Sequence, residues 1–183
     1  MRVIMKLALK TLLVTSLLSS TTLYANAFDG HRVGIGFNST SIEDITFGSD
    51  YSTSGLTLGY GYDINGIVGV NLSLNKGSGN DSIFDSDTTT FKLDADIGYT
   101  FYMQNASIKP YGVVGFATFK EEVSVVGHDL GDWKDSTLFF GVGTRAVFNQ
   151  HFYTDLRLDF MNLKDGEHDV FADQFSFTVG YKF

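Results

Sequence analysis

From Arg32 to the end of the chain, apolar and polar side chains alternate with a period of two. The alternation comes in stretches of about seven to eleven residues, and no sustained 3.6-residue pattern competes with it, so strands are predicted rather than helices. Arg32–Asn38 sets Val33, Ile35 and Phe37 against Gly34 and Gly36. Gly55–Asp63 sets Leu56, Leu58, Tyr60 and Tyr62 against Thr57 and three glycines, and Val68–Asn75 sets Val68, Val70, Leu72 and Leu74 against Asn71 and Ser73. Phe91–Phe101 reads as one strand, with Phe91, Leu93, Ala95, Ile97 and Tyr99 opposite Lys92, Asp94 and Asp96. Lys109–Phe119 is the ambiguous segment because Val113 and Val114 break the alternation; small Gly115 and Ala117 favour Val114 and Phe116 on the apolar face. The last three are Leu138–Phe148, Phe152–Phe160 and Gln174–Phe183.

The connections alternate in length. Asp63–Gly66, Tyr102–Ser107 and Asn149–His151 are brief, and the first carries an Asn-Gly pair of the kind that favours tight hairpins. Lys76–Asp81 and Glu121–Asp135 read instead as longer polar loops. Eight strands with short turns on one side and longer loops on the other predict an all-β, antiparallel, up-and-down transmembrane barrel.

Alternation alone does not say which face is outside, but energy does. Lys92, Asp94, Asp96, Arg145, Asp155, Arg157 and Asp159 share the polar parity. A one-residue slip would turn all of them toward lipid, at about 2–4 kcal/mol for each Arg or Lys at mid-bilayer. The total would be on the order of 10 kcal/mol, comparable with the whole stability of a domain. The polar face is therefore expected inside. Aromatic residues at the short-turn ends (Tyr60, Tyr62, Tyr99, Phe101, Phe148, Phe152, Tyr181 and Phe183) would form an interfacial girdle.

An eight-stranded barrel has a lumen that side chains fill, and charges out of water must be paired. Arg32, Lys92, Arg145, Arg157 and Lys182 stand against Asp63, Asp94, Asp96, Asp155 and Asp159, so a structural salt-bridge network closing the lumen is expected.

The N-terminus adds a destination. Arg2, Lys6 and Lys10 precede the apolar run Leu12–Leu18, and Ala25-Asn26-Ala27 offers a small-x-small cleavage site. Residues 1–27 are read as a cleaved secretory signal peptide and 28–183 as one outer-membrane barrel domain. Its removal takes three of the 13 basic residues and none of the 21 acidic ones, shifting the net charge from −8 to −11. That balance argues against nucleic acid as a partner. With no Cys there are neither disulfides nor thiolate metal sites.

Across residues 28–183 the chain resembles the eight-stranded outer-membrane barrels grouped around the OmpA transmembrane domain and OmpX/Ail. The most specific element is the end, where Phe177, Val179, Tyr181 and a terminal Phe183 alternate. In that family such an ending looks like the signal read by the barrel assembly machinery. The resemblance implies a monomer in the bacterial outer membrane, in contact with its lipid and lipopolysaccharide.

Candidate chemistry is sparse. His31, His128, His151 and His168 have no Ser at strand spacing of the kind a lipid-cleaving site would need. Asp81, Asp85 and Asp87, and Asp165, Glu167 and Asp169, are acidic clusters without a calcium-loop motif. No cofactor, metal or catalytic residue is assigned. Phe47, Phe84, Val123, Val125, Val126 and Trp133 offer loop contacts for a host or surface ligand, or loop-on-loop packing. The expected function is a non-catalytic outer-membrane protein with surface-exposed loops, serving envelope integrity or surface interaction such as colonisation. A narrow channel for small solutes and a lipid A-modifying enzyme are the alternatives.

Overall fold

The computed structural model describes residues 28–44, 49–81, 84–125, 128–165 and 168–183. Eight strands, β1 (Gly30–Asp44), β2 (Ser49–Asp63), β3 (Val68–Asp81), β4 (Phe84–Gly98), β5 (Ala106–Val125), β6 (His128–Phe148), β7 (Phe152–Asp165) and β8 (His168–Lys182), make up the wall. Each pairs antiparallel with the next, and β8 returns to β1, so the barrel is closed and up-and-down. Closure leaves no free sheet edge inside the hydrocarbon, the condition for crossing a membrane with strands.

The two faces divide as the alternation predicts. Phe140 is 65% exposed while its neighbour Phe139 is 2%; Phe91 is 45% exposed and Lys92 1%. In β5, Val114 and Phe116 point outward and Val113, Gly115 and Ala117 inward, which settles the ambiguous segment. Outward residues from Val33 to Phe183 form a continuous apolar belt, with Tyr62, Tyr99, Phe101, Phe148, Phe152, Tyr181 and Phe183 at its short-turn rim.

The strands are longer than the alternation suggests, at 14 to 21 residues, against the roughly 9–11 that a membrane requires. The supposed loops Lys76–Asp81 and Glu121–Asp135 are largely strand: Lys76 pairs with Thr89 and Glu121 with Trp133. They read as loops because the polarity inverts there. Ser39, Ser41, Glu43, Ser54, Lys76, Lys120, Glu122 and Lys134 face outward beyond the belt, while Ile42, Phe119, Met161, Leu163, Val170 and Ala172 fill the inside. Above the membrane water lies outside, and the ordering of a soluble protein returns.

Register shows how this upper part is built. Pairing of β2 with β3 ends at Ser54–Ser78, and that of β6 with β7 at Phe139–Met161. Beyond those points β7–β8–β1–β2 and β3–β4–β5–β6 form two sheets facing each other across the apolar core. One seam is bridged by Tyr51 and Glu121 at 2.7 Å, the other by the Asp135 carboxylate accepting from the Lys164 backbone N–H at 2.8 Å.

The turns also differ from expectation. Asn65-Gly66 is held by the Asn65 side chain, which accepts from the N–H groups of Ile67 and Val68 at 2.8 and 2.9 Å. The left-handed pair sits at Asn149 (φ 48) and Gln150 (φ 65) instead, the geometry of a type I′ hairpin turn. The fourth strand ends at Gly98, and only Phe101–Tyr102 resumes pairing, with Ile108 and Ser107.

Candidate functional site

Inward parity on β1, β2 and β4 to β7 brings the charged side chains together in the lumen, in two groups. Arg145 from β6 is the hub: its guanidinium lies 3.1 Å from Asp63, 3.4 Å from Asp96 and 2.7 Å from Asp155. Arg32 reaches Asp63 at 3.2 Å and Asp96 at 3.5 Å. Gly61 lies beside it; a Cβ there would stand 2.3 Å from the guanidinium carbon and oblige the Arg32 side chain to shift. A second group lies toward the middle. Arg157 pairs with Asp94 at 2.9 Å and Asp159 at 2.7 Å, and Lys92 with Asp159 at 2.6 Å. Asn71 joins the two groups, donating to Asp94 at 2.6 Å and Asp96 at 3.0 Å while accepting from Arg32.

Of the ten charges set against one another in the sequence, the structure places nine in these two groups, all but Lys182. Lys182 donates to the Asp29 carbonyl at the short-turn rim. Sequence reading missed Lys109, which is fully buried and pairs with Asp96 at 2.7 Å, and Tyr111, whose hydroxyl donates to Asp155 at 2.6 Å. The parity that Gly115 and Ala117 impose on β5 runs back to both, so the signal was present. Gln174 was also missed; it accepts from Lys92 and donates to Thr40 at 2.7 Å.

Above the charges, Phe139 receives Lys92 and Arg157 on its ring, each 5.4 Å from the centroid, a favourable use of an aromatic face. The polar cavity that remains among Arg32, Asn71, Asn75, Lys92 and Arg157 measures about 50 Å³. Higher still, Glu121 is buried in the apolar part and accepts from Tyr51 (2.7 Å), Trp133 Nε1 (2.9 Å) and Ser86. Trp133 is therefore a strand residue turned inward against Phe119, ring centroids 5.3 Å apart, rather than an exposed loop contact. Removing the carboxylate in Glu121→Ala takes this acceptor from the buried Ser86 hydroxyl and the half-buried Trp133 Nε1–H, and each buried group left unsatisfied costs about 1–3 kcal/mol. A lower urea midpoint together with a changed emission maximum of Trp133, the sole Trp, is the expected outcome.

Of the remaining candidates, the two described histidines have separate partners. His31 bonds Tyr60 at 2.7 Å in the girdle, and His151 bonds the Asn149 carbonyl in a turn. Among the described residues no group of three His, Asp or Glu is arranged to hold a metal. The side chains of His128, His168, Asp81, Asp85, Asp165, Glu167 and Asp169, and those of Phe47, Phe84, Val123, Val125 and Val126, lie outside the described residues. Phe177, Val179, Tyr181 and Phe183 stand outward along β8.

The family model for the outer membrane protein beta-barrel domain matches residues 11–183. The chain belongs to that family. As a member of the outer membrane protein beta-barrel family it resides in the bacterial outer membrane. Solved structures share the fold at low identity. Ail, the attachment invasion locus protein of Yersinia pestis, is 22% identical with a TM-score of 0.58, over 85% of this chain and 99% of that one. Neisserial surface protein A is 16% identical with a TM-score of 0.65, over 85% and 98%. OprG from Pseudomonas aeruginosa is 16% identical with a TM-score of 0.55, over 85% and 96%. No curated protein matches the chain.

Proposed function

We propose that this chain is a non-catalytic, non-conducting surface protein of the outer membrane. Its lower half is the anchor, and its protruding half is the part offered to the exterior for envelope integrity or surface interaction. The observation that carries this reading is that the interior is filled at two levels. Arg145, Lys92 and Lys109 occupy the lower one, and Phe139, Phe119 and Leu163 the upper; all are 2% exposed or less. A solute would have to break buried ion pairs and then cross an apolar core.

Export by a signal peptide cut after Ala27, recognition of Phe177 to Phe183 by the assembly machinery, a monomeric state and contact with lipopolysaccharide complete the proposal. One relative, Ail, has been seen with the heparin analogue sucrose octasulfate. In the present chain the described outward residues beyond the belt include Glu43, Asp87, Glu122, Asp132 and Asp173 beside Lys76, Lys120, Lys134 and Lys164. This mixed, slightly acidic surface favours a neutral or cationic partner, or an anionic one bridged by divalent cations, over direct capture of a polysulfated sugar. Conductance is the test. Purified protein in planar bilayers is expected to give no steady current, and its liposomes no sugar-driven swelling; stable single-channel steps would favour the channel reading instead.

A further inference from the structure

We propose that Phe28 is a stopper for the periplasmic end of the lumen, and that cleavage after Ala27 makes this stopper the first residue of the mature chain. The second clause rests on the cleavage position proposed above; the first does not. A residue just ahead of the first strand ordinarily frays, yet Phe28 is 0% exposed. It packs with Val147 and Tyr153 in a small apolar cluster separate from the upper core. Its ring lies 5.7 Å from the Lys109 ammonium, directly next to the Lys109–Asp96 pair.

Two further features hold it there. Gly30 adopts φ +105, a left-handed conformation that turns the chain back into the mouth; a Cβ there would also meet the Phe183 carbonyl oxygen at 2.6 Å. The Asp29 carbonyl accepts from Lys182, tying the turn to the last strand. The hook is thus built from both ends of the barrel. Its physical consequence is to keep periplasmic water from the charged level, where exclusion of water strengthens each ion pair. Phe139 bounds that level on the other side, so the network occupies a closed box.

Absence of cysteine makes the test direct. Val147→Cys places a thiol behind the ring, and Ser107→Cys, opposite Val147 in the pairing of β5 with β6, is a near-isosteric second reporter. Each is assembled as the full chain, checked for a folded barrel by faster gel migration without boiling, and exposed to a membrane-impermeant maleimide. Both thiols should resist labelling while Phe28 is present. In Phe28→Ala they should react roughly tenfold faster or more, as expected when a local cover is lost, whereas Phe28→Leu should keep most of the protection. Equal rates with and without the Phe28 ring, or rapid labelling in its presence, would overturn the stopper. Intact mass of the mature protein reports the cleavage position separately: a start other than Phe28 removes the second clause and leaves the labelling result standing.

Discussion

Arg145→Met should lower the unfolding free energy by about 3–5 kcal/mol, the cost of breaking a buried ionic cluster from one side. The hub contacts Asp63, Asp96 and Asp155, all nearly inaccessible to water. Methionine matches part of the volume and none of the charge. Asp63 and Asp96 then keep Arg32 and Lys109, Asp155 is left with the Tyr111 hydroxyl, and the lower lumen becomes an uncompensated anionic pocket. The loss should fall when a carboxylate is removed as well. Arg145→Met with Asp155→Asn is expected to regain part of the stability, because the pair rather than either charge is what the low dielectric tolerates. Urea titrations of protein folded into lipid vesicles, read by intrinsic fluorescence, measure both variants. An Arg145→Met midpoint equal to the unmodified protein's would mean that water reaches this level and screens it.

The second large effect concerns the outer wall. Leu93→Arg is expected to cost about 2–4 kcal/mol, the range for a cation facing lipid near the bilayer midplane. Leu93 is 49% exposed, and its cross-strand neighbours Leu72 and Phe116 face the same way. The same substitution at Ser136, outward on β6 beyond the belt, should change stability by no more than about 0.5 kcal/mol, as for an ordinary surface site. In a water-soluble barrel the two changes would cost similarly little. Their difference measures where hydrocarbon ends on the wall.

The part of the fold that the sequence made legible is the part in contact with hydrocarbon. There the outward side must be apolar and the inward side polar, so Phe91, Leu93 and Ala95 against Lys92, Asp94 and Asp96 leave one solution. Above the belt this contrast fades and then inverts. Glu121 is inward although charged, and Phe119 is inward although apolar, so a period-two reading tuned to the membrane saw Glu121–Asp135 as loop. Only pairing partners, such as Glu121 with Trp133, reveal the strand. Lys109 was overlooked for a related reason: Val113 and Val114 are adjacent and both large, and the parity before them becomes clear only once Gly115 and Ala117 are seen to fill the narrow inside. Contacts that depend on three-dimensional reach, such as Asn71 between Asp94, Asp96 and Arg32, have no one-dimensional signature. Turn chemistry misled as well. The Asn-Gly pair at Asn65 works through its side chain, while the left-handed turn is carried by Asn149 and Gln150, neither of which is glycine.

Neighbouring residues on a strand look in opposite directions, one into lipid and one into a sealed interior. Phe139 and Phe140 state it most sharply, at 2% and 65% exposure. With Trp133 replaced by Phe, a single Trp is placed at either position and the protein is folded into vesicles of lipid brominated along the acyl chain. Strong quenching is expected for Phe140→Trp and almost none for Phe139→Trp. Equal quenching, or the reverse order, would contradict this arrangement.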